Sequence, residues 1–448
     1  MRPADTTAST GATAPTEPTA PTEPTEPTEP TEPTEPTDVT APAGPVGVTG
    51  PADEEARLAA PLERFAALHA ATLRGSRGGV VDLSYPNPLV HRDPRGFDLL
   101  RTLTASVGQS ELQYTPFGGG TLARRRTAAA LSRRLGLRLG HRDLLLTPGA
   151  TAALNTALAA LFEPGEEVLV VTPCWMDYFL YTHRLGLRAR PVPSGAGKRL
   201  DLTALAAAIG PDTAGVIISQ PVCPTGVLHD ADELTGLADT LRAAATRFGR
   251  APVLISDEVH RDQNWGGAPF TSPMQVYPDT VSVYSYGKAW SLQGQRTGYL
   301  ALGPGLRRRE ETRVRAERAL RSMGHCAPTA LMQRLVLELA DLDPDCGDLR
   351  ADQVRLRALM TDLGYRVVGG GATGFLYAEC PYGLGGWEFV ELLAAHGLIA
   401  MPSELFHEEG HFRVALNTGP DRFEDIGRRL RAAFEEARER GRPHTNSS

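Results

Sequence analysis

Short apolar runs alternate with helical patterns through the middle of this chain, and this alternation limits the possible folds more than any other feature. Five runs rich in β-branched residues, LLLTP, EEVLVVTP, AGVIISQP, APVLISDE and DTVSVYSYG, begin at residues 144, 166, 214, 251 and 279. Helical stretches separate several of them. The pattern predicts an α/β fold with a large, doubly wound domain, whose mainly parallel sheet is covered by helices on both faces. In such sheets ligands bind at the carboxyl ends of the strands.

The two ends of the chain differ from this central region. From residue 15 the sequence repeats Pro, Thr and Glu, and no large apolar side chain interrupts the repeat. Such a composition cannot bury enough surface to offset the entropy of ordering, so we expect a disordered tail over residues 1–52. The polar end GRPHTNSS predicts a second, short disordered tail over residues 441–448.

The residues between the tails divide into three predicted segments. Residues 53–100 begin with a helical pattern and continue with a short strand broken by prolines, and we expect an N-terminal arm and part of a small domain. Residues 101–320 contain the alternating pattern and form the large domain. Residues 321–440 contain the strand patterns GFLYAEC and HFRVALN, which predict a smaller α+β domain built together with the N-terminal segment.

Composition excludes several classes of protein. The 448 residues carry a net charge of −7, which gives no reason to expect binding to nucleic acid. The five cysteines are widely spread and form no CxxC pair, so neither a disulfide framework nor a metal site is predicted. No stretch has the apolar length of a membrane-spanning helix, and the start MRPADTTAST does not resemble a secretory signal. We therefore expect a soluble, cytoplasmic protein without a membrane partner.

Lysine is almost absent from the chain. Arginine supplies the positive side-chain charge everywhere except at Lys198 and Lys288. An arginine keeps its proton in a protein, whereas a lysine amine can be made neutral and nucleophilic by its surroundings. Lys288, in SYGKAW, directly follows the last of the five predicted strands, where ligands are expected. It is therefore a candidate for chemistry, although most lysines are solvated surface charges.

Other distinctive polar motifs also follow the predicted strands. GAT (149–151) follows LLLTP and opens a helix, an arrangement that presents backbone N–H groups to an anion. Trp175 follows EEVLVVTPC, Cys223 follows AGVIISQP, and Asp257 ends APVLIS. Arg296 lies in SLQGQR, shortly after the last of these strands. Because the carboxyl ends of parallel strands meet at one edge of a sheet, these groups are expected to share one site.

Taken in order, the motifs GAT, PCW, CPTG, SDEVH, SYGKAWSLQGQR and FRVAL resemble those of the class I/II aminotransferase family of fold type I pyridoxal-phosphate enzymes. The resemblance extends over about residues 80–430 and implies the cofactor pyridoxal 5'-phosphate. Lys288 matches the catalytic lysine that forms a Schiff base with the cofactor aldehyde and moves the proton of the substrate α-carbon. Asp257 matches the catalytic aspartate that keeps the pyridine nitrogen protonated.

The same resemblance assigns the remainder of the cofactor site. Arg296, Ser285 and the backbone of Ala150 and Thr151 are expected to bind the phosphate, because a dianion suits an arginine and a helix N-terminus together. Trp175 matches the aromatic residue that stacks on the cofactor ring.

Residues further from the sheet are assigned to the substrate and to a second subunit. Tyr114, in YTPFGGG, matches the tyrosine that reaches the phosphate of the neighbouring subunit, so the resemblance implies a homodimer. Arg413, in HFRVAL, matches the arginine that binds the substrate α-carboxylate and orients the substrate. Asn87, in SYPNPL, is expected to lie in a segment that closes over the substrate.

Three positions depart from the family pattern. Cys223 stands where the family usually has an asparagine that bonds the cofactor phenolate, and since a thiol is a weak donor, Gln220 is a candidate to replace that bond. His260 ends SDEVH where tyrosine is common, as in cystathionine β-lyase-like members, and we expect it to contact the cofactor. Gly287 stands where serine is frequent, which removes one hydrogen bond to the phosphate.

The motifs favour one reaction and leave two others open. An aminotransferase, which acts on an α-amino acid and a keto acid, is favoured by the SxxK segment and by Arg413. A carbon–sulfur or other β-eliminating lyase is the alternative that SDEVH favours. An amino-acid oxidase or cyclase of a specialised biosynthetic pathway is the alternative that Cys223 favours. A catalytically inactive relative is disfavoured because Lys288, Asp257 and Arg413 are all present.

Overall fold

The structure, a computed structural model, describes residues 51–75, 79–87 and 93–441. The Pro/Thr/Glu repeat and the residues after 441, for which disordered tails are predicted, lie outside the described residues. None of the helices in the described part is long and apolar enough to cross a membrane.

The described chain alternates between helices and strands over most of its length. The helices are α1 (Pro51–Gly75), α2 (Pro94–Ser106), α3 (Thr121–Leu135), α4 (Gly149–Leu161), α5 (Tyr178–Arg184), α6 (Leu202–Ala208), α7 (Ala231–Phe248), α8 (Tyr286–Ala289), α9 (Arg309–Ser322), α10 (Ala330–Leu339), α11 (Gly347–Asp362), α12 (Gly386–Ala395) and α13 (Phe423–Arg440). The strands are β1 (Val81–Asp82), β2 (Leu144–Thr147), β3 (Glu167–Thr172), β4 (Arg188–Pro193), β5 (Thr213–Ser219), β6 (Val253–Asp257), β7 (Thr280–Ser285), β8 (Gly298–Leu302), β9 (Val367–Val368), β10 (Phe375–Glu379), β11 (Leu398–Ile399), β12 (Met401–Pro402) and β13 (His411–Ala415).

Seven strands form the central sheet, in the order β2-β8-β7-β6-β5-β3-β4. The pairs β3/β4, β3/β5, β5/β6 and β6/β7 are parallel, whereas β8 runs antiparallel to both of its neighbours. All five strands predicted from the apolar runs lie in this sheet, which confirms the predicted α/β fold with a mainly parallel sheet. The strands β4 and β8 were not predicted.

Apolar cores cover both faces of this sheet. Since successive side chains of a strand point to opposite faces, Ile217 of β5 packs into one core, and its neighbours Val216 and Ile218 pack into another. These three residues are almost completely buried. A strand buried on both faces tends to be apolar along its length, as β5 is, although β7 (TVSVYS) buries Thr280 and Ser282 alongside its valines.

A smaller antiparallel sheet, in the order β12-β13-β10-β9, packs against the later helices. In its register Tyr377 of β10 and Met401 of β12 both pair with Arg413 of β13. A two-stranded parallel sheet joins β1 near the start of the described chain to β11. The predicted division into large and small domains at residues 100 and 320 stays a prediction.

Candidate active site

Three neighbouring strands of the central sheet end in polar residues, and a cavity lies beside those ends. Ser219, Asp257 and Ser285 are the last residues of β5, β6 and β7. The cavity is lined by residues at or after the ends of β2, β3, β5, β6 and β7, together with Phe375 at the start of β10: Ala150, Thr151, Leu154, Trp175, Tyr178, Tyr181, Cys223, Asp257, Val259, His260, Ser285, Lys288, Arg296 and Phe375. The strand-end rule thus brings together most of the residues that were singled out from the sequence.

Lys288 reaches this cavity from the short helix α8, and it is partly buried. Its amine makes no hydrogen bond or ion pair with any residue in the described part of the chain. Burial lowers the pKa of Lys288 to about 8, and the charges of Arg413 and Arg296 act in the same direction. The thiol of Cys223 and the carboxyl of Asp257 oppose this shift. The amine is therefore poised between its neutral and charged forms near physiological pH.

Asp257 is 8% exposed, and its carboxylate is held by two donors. The hydroxyl of Tyr178 donates to Oδ2 at 2.6 Å, and the backbone N–H of Val259 donates to Oδ1 at 3.2 Å. Burial raises the pKa of Asp257, whereas the hydrogen bond from Tyr178 lowers it. Tyr178 was not identified from the sequence. The available signal was its position three residues after Trp175, at the start of α5.

The amino end of α4 and the side chain of Arg296 form one wall of the cavity. Gly149 has a φ of +84°, which favours glycine, and a Cβ at this position would lie 2.7 Å from Nη2 of Arg296, so glycine also lets this guanidinium approach closely. Ala150 and Thr151 form the first turn of the helix, where the helix dipole and free N–H groups favour an anion. Arg296 donates to the carbonyl of Gln293 at 3.0 Å and has no acidic partner in the described chain.

Ser285 and Gly287 shape the turn that carries Lys288. The Ser285 hydroxyl accepts from the Gly287 N–H at 3.3 Å and caps α8. A Cβ on Gly287 would lie 3.0 Å from the Cα of Gln293, so the serine that is frequent in the family would require the Gln293 backbone to shift by a few tenths of an ångström. The departure at Gly287 therefore has a local steric reason.

Arg413 is completely buried on β13, close to the cavity. Its guanidinium carbon lies 4.3 Å from the ring centre of Phe375 and 4.7 Å from that of Phe406. Nη2 donates to the carbonyl oxygen of Ser84 at 2.7 Å, Nη1 approaches Sγ of Cys223 at 4.0 Å, and Nε has no hydrogen-bond partner. In the described chain no carboxylate pairs with this buried cation. Such a group favours a carboxylate ligand.

Cys223 occupies the position between Arg413 and the cavity. It is 4% exposed, and burial raises the pKa of its thiol, so the sulfur remains protonated near neutral pH. The candidate replacement, Gln220, does not reach the cavity. Its amide donates to the carbonyl oxygens of His229 and Thr271 at 2.8 and 3.1 Å and accepts from the His229 N–H. These bonds use both ends of the amide, so Gln220 holds a neighbouring loop instead.

His260 lies in the cavity wall, three residues after Asp257. Burial lowers the pKa of His260 to about 3, and the nearby Lys288 charge adds to this effect. The ring is therefore neutral at physiological pH. Its edge meets the ring of Phe375 at a centroid distance of 5.3 Å, and Nδ1 lies 2.8 Å from Oε1 of Gln263. Gln263 was not identified from the sequence.

The remaining predicted residues occupy different positions. Trp175 lines the cavity and is partly buried. Tyr114 is fully exposed on the surface of the single chain. Asn87 is exposed, and its backbone N–H donates to Oδ1 of Asn417 at 3.0 Å. In the described chain, the residue of this segment that contacts Arg413 is Ser84, through its carbonyl oxygen.

The sheet and the cavity together define an α/β enzyme with a partly buried lysine at the carboxyl edge of a mainly parallel sheet, and this lysine has no ion pair among the described residues. Residues 91–427 match the model of the family "Aminotransferase class I and II". The chain belongs to this family. The predicted family, and the prediction of an aminotransferase, are thereby confirmed.

Similar proteins agree with this membership. The probable N-succinyldiaminopimelate aminotransferase of Mycobacterium tuberculosis is 30% identical over 346 residues, which cover 74% of this chain and 83% of that protein. The solved structure of the M. tuberculosis N-succinyldiaminopimelate aminotransferase has a TM-score of 0.73 at 27% identity, over 83% of this chain and 97% of that chain. An aminotransferase structure from Eubacterium rectale has a TM-score of 0.77 at 22% identity, over 86% and 96%, and shows the shared fold.

Proposed function

We propose that this chain is a pyridoxal-phosphate-dependent aminotransferase that exchanges the amino group of an α-amino acid with a keto acid. One observation carries the proposal. An amine with a pKa of about 8 lies in a cavity together with the Asp257 carboxylate, and the guanidiniums of Arg296 and Arg413 have no acidic partners in the described chain. A phosphate and a carboxylate are the ligands that these two cations favour.

The residues present fit the cofactor. Arg296, the amino end of α4 and Ser285 would hold its phosphate, and Asp257 would face its ring nitrogen. Trp175 would pack on the ring. When bound, pyridoxal phosphate supplies an aldehyde that reacts with amines and a ring that accepts electrons.

The side chains of this chain supply the proton transfers and the positioning. Because its pKa is lowered to about 8, the Lys288 amine can serve as a nucleophile and as a base for the proton on the substrate α-carbon. Asp257, held by Tyr178, would keep a proton on the ring nitrogen. Arg413 would bind the α-carboxylate and so orient the α-carbon toward Lys288.

We further propose that the active protein is a homodimer and that Tyr114 completes the phosphate site of the partner subunit. Tyr114 is completely exposed in the single chain. Three exposed apolar side chains, Leu112, Phe117 and Leu122, lie near it in the sequence. A protein surface rarely keeps large apolar groups together without a partner, so this region supports a contact between subunits.

A panel of amino acids tests the proposed reaction. The purified protein is incubated with pyridoxal phosphate and each amino acid, with and without a keto-acid acceptor, and aspartate and N-succinyldiaminopimelate are included because relatives are named for them. We expect a new amino acid to form only when the acceptor is present. Formation of ammonia and pyruvate without an acceptor and without peroxide would instead indicate a lyase, and formation of peroxide would indicate an oxidase.

A further inference from the structure

Gln263 lies where two functional groups meet. Its side chain is 7% exposed and spans the space between the His260 ring and the backbone of Lys288. The amide nitrogen Nε2 lies 3.0 Å from the carbonyl oxygen of Lys288, and Oε1 lies 2.8 Å from Nδ1 of His260. The backbone of Gln263 also accepts from the Thr373 N–H at 2.8 Å, which anchors the residue to the segment before Phe375.

The contact with Lys288 fixes the orientation of the amide. A backbone carbonyl oxygen only accepts hydrogen bonds, so the NH₂ group of Gln263 must face Lys288. The oxygen of the same amide therefore faces His260. An amide oxygen only accepts, so Nδ1 of His260 must carry a proton and donate it. Because the ring is neutral, the other nitrogen, Nε2, carries no proton.

The unprotonated nitrogen is free to accept a hydrogen bond. Within the described chain, Nε2 of His260 has no hydrogen-bond partner. The ring lines the same cavity as Lys288, and the charged groups that act on it are Lys288 and Arg413, both of which are cations. Both cations oppose protonation of Nε2, so the acceptor state persists.

We propose that Gln263 is a positioning residue that fixes His260 in the Nδ1–H form, so that His260 presents a hydrogen-bond acceptor to the cofactor site. Tyrosine, common at this position in the family, has a hydroxyl that can donate to a phenolate oxygen. A neutral histidine in this form cannot donate there. It favours a cofactor whose ring hydroxyl keeps its proton and donates to Nε2. This second step rests on the proposed function, whereas the assignment of the tautomer does not.

The tautomer is measured on the full chain without cofactor. Two-bond proton–nitrogen correlation spectra of ¹⁵N-labelled protein at pH 8 distinguish the two neutral forms of each histidine ring, and the His260→Asn variant identifies the signals of His260. We expect the Nδ1–H pattern for the wild type. The Nε2–H pattern would overturn the proposal without the need for any further variant.

Two substitutions at position 263 test the cause. Gln263→Glu keeps an oxygen that accepts from Nδ1, so the Nδ1–H pattern should persist at pH 8. Gln263→Leu has a similar size but no acceptor, so signals of both tautomers should appear. An unchanged pattern in Gln263→Leu would show that Gln263 does not set the tautomer. Far-ultraviolet circular dichroism of both variants verifies that the fold is retained.

The cofactor step has its own readout. After loading with pyridoxal phosphate, the ratio of the near-ultraviolet band to the visible band reports whether the ring hydroxyl is protonated. We expect a several-fold fall of this ratio in Gln263→Leu relative to the wild type and to Gln263→Glu. An unchanged ratio would overturn the acceptor role. Failure of every protein to bind the cofactor would instead overturn the proposed function, while the tautomer is judged by the spectra of the unloaded protein.

Discussion

The two lysines of this chain show how surroundings decide what one side chain does. The amine of Lys198 donates to Oε1 of Glu408 at 2.6 Å, and Tyr377 donates to the other oxygen of the same carboxylate at 2.7 Å. The amine of Lys288 has no ion pair in the described chain and has its pKa lowered to about 8. Lys198 is thus a structural cation, and Lys288 is an amine available for chemistry. The comparison teaches that the absence of a carboxylate partner, rather than burial alone, marks the functional lysine.

Conservative replacement of each lysine should separate the two roles most strongly. Lys288→Arg removes the only amine in the cavity, and a guanidinium can neither form a Schiff base nor accept a proton near neutral pH. We expect transamination to fall by at least roughly 10²- to 10⁴-fold, the usual contribution of a general acid–base group. Turnover of the best amino acid from the panel measures this loss.

Lys198→Arg is the matched control, because it keeps the positive charge beside Glu408. Its turnover should remain within about threefold of the wild type, since its ion pair lies outside the cavity lining. Borohydride treatment followed by mass spectrometry should attach the cofactor to the wild type and to Lys198→Arg, but not to Lys288→Arg. Attachment to Lys288→Arg would contradict the role given to Lys288.

Arg413 contributes to the difference between the lysines, because its charge helps to lower the pKa of Lys288. Arg413→Met keeps an apolar chain between Phe375 and Phe406 and removes the cation. We expect Arg413→Met to lose about 2–5 kcal/mol of carboxylate binding. This loss should lower kcat/KM, mostly by raising KM. In the cofactor-free protein the pKa of the Lys288 amine should rise above about 8, so the pH at which an amine-directed reagent labels Lys288 should shift upward.

Arg296→Met is the comparison variant, because Arg296 also lowers the pKa of Lys288 but faces the proposed phosphate site. It should weaken cofactor binding and leave the KM of the amino acid nearly unchanged in saturating cofactor. If both variants raised KM equally, the assignment of separate phosphate and carboxylate sites would be wrong.

The fold was more predictable from the sequence than the details of the site. Most of the five doubly buried strands are nearly continuous apolar runs, and a sequence shows such runs directly, whereas β7 (TVSVYS) was visible through its β-branched residues. Strand β4 escaped notice because RARPVP contains charges and prolines, which an edge strand tolerates. Strand β8 is only five residues long and antiparallel to both neighbours, and only short helical turns such as α8 lie between it and β7, so no long helical pattern marks its start.

Positions of the main site residues followed from the strand-end rule, but their partners did not. Tyr178 and Asp257 are 79 residues apart, and Gln263 and the Lys288 carbonyl are 25 residues apart. Such pairs depend on the packing of separate elements, which no local pattern encodes. Gln220 illustrates the converse, because it is near Cys223 in the sequence and yet bonds to the backbone around His229.

Stability should respond to the two lysines with opposite signs. In the protein without cofactor, Lys288 is charged in both the folded and unfolded states below pH 8, so its burial penalty is then complete. Between pH 8 and 10.5 the folded state has lost the proton and the unfolded state keeps it, so wild-type stability rises. Lys288→Met should therefore raise the free energy of unfolding at pH 7 by at most about 3 kcal/mol, at about 1.4 kcal/mol per pKa unit.

Urea unfolding at pH 7 and at pH 10 measures this effect. The gain from Lys288→Met should shrink clearly at pH 10, because the amine is then neutral in the folded wild type. Lys288→Gln, which keeps a polar end but no charge, serves as the matched variant and should show the same change with pH. A gain that did not depend on pH would mean that packing, rather than the charge of Lys288, limits stability.

The smallest expected effect concerns Lys198. Lys198→Met should lower the free energy of unfolding by about 1–2 kcal/mol, between the values for exposed and buried ion pairs, because the side chains of Lys198 and Glu408 are 15% and 22% exposed. Glu408 would keep its bond from Tyr377, and the stacked ring of His411 lies close by, so the loss stays moderate.

Combining Lys198→Met with Glu408→Gln should cost less than the sum of the two single changes, since the second change removes the carboxylate that the first leaves unpaired. If the losses of unfolding free energy simply added in the double variant, the Lys198–Glu408 ion pair would contribute nothing to stability. The two lysines would then differ only in where they lie in the fold.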